Sequence, residues 1–161
     1  MTRNSLAPLN CSVARALDVI GEWWSLLIVR EAFFGSRHFQ DFAGNLGIAR
    51  NILSARLKRL VAEGVLDRQE GMDGVTYRLT PKGEALLPVL VALTQWGDAF
   101  ANPEAPPVIL TDRETGTPLP RLEVRAADGR VLANRDIRAV PGPGADEALR
   151  ERLRPRRATT A

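Results

Sequence analysis

The chain of 161 residues is 45% apolar and 25% charged, a balance typical of one folded domain of ordinary size with a smaller appendage. A formal charge of +3, with a sequence pI of about 9.7, is compatible with polyanionic partners but does not require them. One cysteine excludes an intrachain disulfide and a cysteine-based zinc site, and without a run of roughly 18 apolar residues or an apolar leader we expect a cytoplasmic protein with no membrane partner.

Two helices are predicted at the start of the chain. Apolar residues at helical spacing mark the first over residues 12–20, with Ser12 as its cap and Gly21 at its end. The following WWSLLIVREAFF is apolar enough to be buried on most of its circumference. Four aromatic residues are candidates for an effector pocket, although core or dimer packing explains such residues more often: Trp23, Trp24, Phe33 and Trp96.

Cys11, just before the first helix, has two interpretations. As a small, partly buried hydrophobic residue it would only pack. As a redox candidate it needs a lowered pKa, which a helix N-terminus and the nearby Arg15 would supply. Because the chain has no second cysteine, oxidation would cap the thiol or join two subunits.

The middle of the chain predicts a helix-turn-helix. A short helix over residues 37–45 is followed by a glycine turn and a second helix between Gly47 and Gly64. One stripe of the second helix is apolar and is expected to be buried: Ile48, Leu53, Leu57, Leu60 and Val61. The opposite side is small, polar and basic: Arg50, Asn51, Ser54, Ala55 and Lys58.

This polar side carries the donors and acceptors that read the edges of DNA bases and bind phosphates, although a basic helix face is often only a solvated surface. After it, VLDRQE, GMDG and VTYRLT predict a β-hairpin, a wing beside the second helix. We expect Arg50, Asn51 and Ser54 to contact bases. The candidates for phosphate contacts, with Arg59 as a further DNA-binding residue, are Arg37, Lys58, Arg68 and Arg78.

A long helix is predicted after the hairpin. Thr80 caps it, Pro81 takes its first position, and an apolar series continues for some twenty residues to Phe100. Pro88 removes one internal hydrogen bond and should kink it. Because the apolar stripe exceeds what a three-helix core can cover, we expect it to pack against a second copy in a homodimer.

The composition changes at Asn102, which predicts domains at residues 1–101, 102–142 and 143–161. The middle part has three short β-like runs, 108–110, 122–124 and 131–132, separated by glycine and proline turns. The last part predicts a short helix in ADEALRERL and a disordered basic tail, RPRRATTA.

Three stretches in this order, RALDVIGEWWSLLIVREAFFGSRHFQDF, IARNILSARLKRLVAEGVLDR and YRLTPKGEALLPVLVALTQWGDAF, give the chain a close resemblance to the HxlR family of bacterial transcriptional regulators. The resemblance implies a mainly α winged helix-turn-helix with a small β-wing, dimerised by its first and C-terminal helices, and in some members a thiol switch at the cysteine before the first helix. Some relatives carry two Cys-Gly pairs where this chain reads Thr115-Gly116 and Asp128-Gly129, a departure that removes a metal or disulfide there.

The sequence therefore predicts a dimeric transcriptional regulator, a repressor that binds a palindromic double-stranded operator and responds to a small-molecule or redox signal. An enzyme would need a nucleophile with its base, a carboxylate pair, a metal site or a phosphate loop, and none is visible, so no catalytic residue, metal or cofactor is expected. The alternative is a winged-helix module that binds only protein. Such a module would not need Arg50, Asn51, Ser54 and Lys58 on one face with Arg78 in the wing.

Overall fold

The structure, a computed structural model, describes residue 6, residues 8–101 and residues 104–154. The described chain is mostly helical with a single two-stranded antiparallel sheet, which confirms the predicted fold class. Its elements in chain order are α1 Ser12–Ile20, α2 Trp23–Phe33, α3 Phe39–Leu46, α4 Arg50–Ala62, β1 Leu66–Gly71, β2 Gly74–Leu79, α5 Pro81–Glu84, α6 Leu87–Phe100, a 3₁₀ turn Asn134–Asp136, and α7 Glu147–Arg152.

The core lies where α2 meets α3, α4 and the start of the sheet. Five apolar residues were predicted to be buried in a stripe along the second helix of the helix-turn-helix. Four of them are buried there, and the fifth, Val61, is partly buried against them. Burying a side chain of this size is worth about 1.5–3 kcal/mol, so this stripe fixes which side of α4 faces outward. The buried core residues are Ile28, Val29, Ala32, Phe42, Ile48, Leu53, Leu57, Leu60, Val65 and Leu66.

The helix-turn-helix consists of α3 and α4. The first helix begins at Phe39, two residues later than predicted, because the Asp41 carboxylate accepts the backbone N–H groups of Arg37 at 3.1 Å and His38 at 2.8 Å and holds them outside the helix. Gly47 follows α3 with a φ of 58°, a left-handed conformation that favours glycine. The helix α4 begins after this turn, and its polar side is exposed.

The wing is an antiparallel hairpin in which Leu66 pairs with Leu79 and Gly71 with Gly74. It is joined to the helix-turn-helix by a bridge between His38 and Thr76, and the Tyr77 N–H donates to the Arg37 carbonyl at 2.8 Å. The hairpin is therefore fixed relative to α4.

The predicted long helix is two helices. Thr80 and Pro81 begin α5 as expected, and the Thr80 hydroxyl accepts the Gly83 N–H at 3.2 Å. The prediction of one helix kinked at Pro88 is wrong, because α5 ends at Glu84 and Pro88 lies in the first turn of α6. A proline in the first turn needs no partner for its missing N–H, so the chain bends before it.

The appendage forms two successive loops against α6. The predicted β-like runs are not strands in the described residues: only isolated bridges join Thr111 to Pro118 and Arg125 to Val131. The Gln95 side chain of α6 donates to the Pro120 carbonyl at 2.9 Å and accepts the Leu122 N–H at 2.8 Å. This pair of bonds, together with packing on α6, takes the place of a core of the appendage's own.

Each appendage loop turns at a Thr-Gly or Asp-Gly pair. Gly116 and Gly129 both have a positive φ there, and the Asp112 carboxylate accepts two backbone N–H groups in the first loop. The short helix predicted near the C-terminus is α7, capped by Asp146. The predicted basic tail from residue 155 onward lies outside the described residues.

Candidate nucleic-acid interface

The exposed side of α4 presents polar side chains that are available to a ligand. Within residues 8–101 and 104–154, the side chains of Asn51, Ser54 and Lys58 are exposed and make no hydrogen bond or ion pair. An amide can bond an adenine edge in two places, and an ammonium group can bind a phosphate. These three predicted site residues therefore lie together on one surface of α4.

Arg50 begins α4 and is held in place by α3. Its guanidinium donates to the Gln40 side-chain oxygen at 2.6 Å and lies over the Phe39 ring, 5.7 Å from the ring centre. These contacts restrict a flexible side chain, which would lower the entropy lost if it bound a ligand. The role of Gln40 was not predicted from the sequence, since its partner lies across the turn, where helical periodicity gives no signal.

The other arginines around α4 have structural partners. Arg56 pairs with Glu22 at 3.2 Å, and Arg59 pairs with Glu63 at 2.8 Å one turn along the helix. The Arg37 guanidinium donates to the carbonyls of Ala32 at 2.7 Å and Ser36 at 3.0 Å, where it caps the end of α2. Phosphate binding by Arg37 and DNA contact by Arg59 stay predictions, and each would compete with an existing contact.

The two wing arginines lie on opposite faces of the hairpin. Arg68 pairs with Tyr77 and Arg78 with Asp67 across the strands, and successive residues of a strand alternate between faces. The face with Arg68 and Tyr77 turns toward α4, because these two residues line a cleft with Ser54 and Lys58. Arg78 therefore presents its charge on the other face of the wing.

Cys11 is the exposed N-cap residue of α1, so the cap lies one residue before the predicted Ser12. The backbone N–H groups of Ala14 and then Val13 lower the pKa of the Cys11 thiol, and the positive charge of Arg152 on α7 contributes in the same direction. The thiol lines a cavity of about 370 Å³ between the start of α1 and α7. The location therefore fits an accessible thiol whose pKa lies below its ordinary value.

The four aromatic residues proposed for an effector pocket separate into two groups. Trp24 and Phe33 pack partly buried against the core. Trp23 is 77% exposed and Trp96 is 61% exposed beside Phe100. The four residues therefore differ in setting: two pack against the core and two lie on the surface.

Among the described residues, no group of three or more histidine, cysteine or acidic side chains is placed to hold a metal ion. No described helix has the length and hydropathy that a membrane crossing requires.

Known proteins share this architecture. The profile of the HxlR-like helix-turn-helix family matches residues 19–105, which include α2, the helix-turn-helix, the wing and α6. A helix-turn-helix-type transcriptional regulator of Mycobacterium tuberculosis, Rv3095, is 44% identical over 138 residues, 83% of this chain and 87% of its own. Since 83% of the chain is more than its first 105 residues, that likeness includes part of the appendage.

Two solved structures mark the extent of the likeness. The crystal structure of PA1607 is 48% identical, superposes with a TM-score of 0.81 and is covered over its whole length by 86% of this chain. The redox regulator HypR in its reduced form is 27% identical with a TM-score of 0.53, and the match covers 57% of this chain and 95% of HypR. The appendage is thus shared with some relatives and lacks a counterpart in others.

Proposed function

Because the chain belongs to the HxlR-like helix-turn-helix family of transcriptional regulators, we propose that it binds a specific double-stranded DNA operator as a homodimer and represses a promoter by occupying it. The observation that carries this proposal is the side of α4 on which Asn51, Ser54 and Lys58 are exposed and have no side-chain partner among the described residues, with Arg50 held beside them. Such a face can enter the major groove while the wing contacts the backbone.

The homodimer is supported by an uncovered apolar stripe on α6. Val89, Leu93, Trp96 and Phe100 follow one another at intervals of four, three and four residues and are all exposed. The appendage packs on the opposite side of the helix, around Gln95. A second copy would remove the exposed part of eight such side chains from water, and each would contribute less than the roughly 1.5–3 kcal/mol of a full burial, before the cost of association.

A signal input through Cys11 is the second part of the proposal. An exposed thiol with a lowered pKa supports oxidation or alkylation as the input, and HypR, a structural relative, is a redox regulator. Trp23 and Trp96 are exposed, and at a subunit interface they could line a pocket for a small-molecule effector. We also assign the protein to the cytoplasm, where its DNA lies, and assign it no catalytic activity.

A gel-shift titration with the promoter region beside its own gene tests this function. The full chain is expected to retain the labelled promoter fragment in the presence of excess random competitor DNA. Arg50→Ala should weaken the shift, whereas Arg121→Ala, the same change at an exposed arginine of the appendage, should leave it unchanged. If random competitor removes the shift as effectively as unlabelled promoter does, binding is not specific to this operator. If the chain shifts no DNA while it captures a protein partner, the protein-interaction alternative is correct.

A further inference from the structure

A cleft separates the exposed side of α4 from the wing. It has a volume of about 250 Å³ and is lined by Ser54, Lys58, Val61, Arg68 and Tyr77. A hydroxyl, an ammonium, a guanidinium and a phenol thus converge on one space beside the recognition helix. These are the donor groups that bind phosphate oxygens of a DNA backbone.

A carboxylate of the same wing already holds one of these donors. Glu70 lies two residues after Arg68 and therefore on the same face of β1, and its Oε1 accepts from the Arg68 Nη1 at 2.6 Å. The bond to Glu70 is the main cause that raises the pKa of the Arg68 guanidinium, with a smaller contribution from Tyr77. The Arg68 guanidinium, one of the two cations that line the cleft, is thus paired with a carboxylate in the free protein.

The ion pair is weak enough for Arg68 to exchange Glu70 for another anion. The side chain of Arg68 is 43% exposed and that of Glu70 is 71% exposed, so water and salt screen their attraction. A DNA phosphate in the cleft would also meet Lys58, a cation without an internal ion pair among the described residues. Exchange of partners at Arg68 therefore needs no change of fold.

From this geometry we propose that Glu70 competes with a DNA backbone phosphate for Arg68, so that each binding event must first break the Arg68–Glu70 pair. The proposal rests on the proposed function and adds to it a residue that sets affinity without contacting DNA. The carboxylate left behind in the complex takes up a cation from solution, which cancels part of the counterion release that drives association.

Replacement of the carboxylate by an amide tests the competition. The probe is a labelled duplex of random sequence, titrated with the full-length protein at several salt concentrations. Glu70→Gln is expected to bind about two- to fivefold more tightly at low salt, the range of an exposed ion pair, and to steepen the dependence of log affinity on log salt by about one. The matched control is Glu123→Gln, which removes the carboxylate of an equally short exposed pair, Arg125–Glu123 at 2.6 Å in the appendage, and should have little effect.

A second background separates competition from general repulsion. In Arg68→Gln protein, which has no guanidinium to compete for, Glu70→Gln should give no gain. An equal gain in both backgrounds, an equal gain from Glu123→Gln, or no gain in the parent would overturn the proposal while leaving DNA binding intact. If the parent binds neither this duplex nor the promoter fragment, the proposed function fails together with it.

Discussion

Arg50 and Asn51 lie side by side at the start of α4, where the first turn of a recognition helix reaches the base edges. Replacement of either residue by alanine should cost roughly 1–3 kcal/mol on the operator and relax discrimination at one base position. Gln40→Ala should have a smaller effect in the same direction, because it frees the Arg50 side chain without removing it. Affinity measured on the operator and on its single-base variants provides the test.

The outcome for random DNA is part of the same prediction. Loss of a base contact should leave affinity for random duplexes nearly unchanged, whereas Lys58→Ala should weaken binding to every sequence and lower the salt slope by about one. If Arg50→Ala and Asn51→Ala bind operator and random DNA as the parent does, the readout surface lies elsewhere on the protein.

The thiol of Cys11 should ionise below its ordinary range, because the Ala14 and Val13 N–H groups and the Arg152 charge favour the thiolate. The rate of alkylation by iodoacetamide, followed against pH, should reach half its maximum at a lower pH in the folded protein than in the urea-unfolded chain. Equal midpoints in the two states would contradict the lowered pKa.

Binding itself should not depend on this thiol. Cys11→Ser should remain folded and retain the affinity of the parent under reducing conditions, because serine is favoured at a helix N-cap. The informative comparison follows peroxide treatment. Loss of DNA by the parent but not by Cys11→Ser would establish the switch, and retention by both would contradict it; the exposure of Cys11 already argues against the partly buried packing role considered from the sequence.

At the scale of elements, the start of α3 depends on one carboxylate. The His38 and Arg37 N–H groups bonded to Asp41 lower the pKa of its carboxyl in the folded state. The stabilisation is therefore present above the unfolded pKa of about 4 and is lost as the pH falls through the lower folded value. Asp41→Asn should unfold at a lower temperature than the parent at pH 7, and the difference should narrow below about pH 4. A difference that is constant from pH 7 to pH 3 would contradict this account.

The elements whose apolar residues recur at regular spacing were predicted from the sequence. The predictions failed at the ends of helices, which regular spacing does not mark. The stripe of α4 and the pairing of the wing follow from apolar spacing and glycine position, and the structure has both. Periodicity did not locate the break before α6, because its apolar residues continue through Ala85 and Leu86. A proline inside such a run fits either a kink or a new first turn, and the sequence pattern alone does not separate the two.

The site was predictable to the same extent. Exposure of Asn51, Ser54 and Lys58 follows from helical geometry once the buried stripe is known. Arg37 and Arg50 bond to groups on other segments, and the pairing of Arg68 depends on strand alternation. Only the folded structure therefore shows which of these arginines already have a partner within the protein.

At the scale of the whole molecule, the exposed stripe of α6 is expected to be the dimer interface. Leu93→Asp should yield monomers or unfolded chain that bind a half-site only weakly, because a carboxylate cannot be buried there unpaired. Val140→Asp makes the same change on an apolar side chain of the appendage that is 65% exposed, and this variant should remain dimeric. Sedimentation of both variants, with circular dichroism to verify folding, distinguishes the two surfaces.

The appendage packs on α6 without a core of its own and is expected to be dispensable for dimerisation. A chain ending at Pro103 should sediment as a dimer and still shift operator DNA. If the truncated chain is a monomer while the full chain is a dimer, the appendage contributes to the interface and the assignment to α6 is wrong.

Selection of binding sites from a random duplex library tests the claim that two copies of the chain present two α4 helices to one DNA duplex. The enriched sequence is expected to consist of two half-sites related by two-fold symmetry, with centres separated by about one helical turn, roughly 34–36 Å. Asn51→Ala should relax the same position in both halves. Enrichment of a single unrepeated half-site, or of no sequence at all, would contradict the claim.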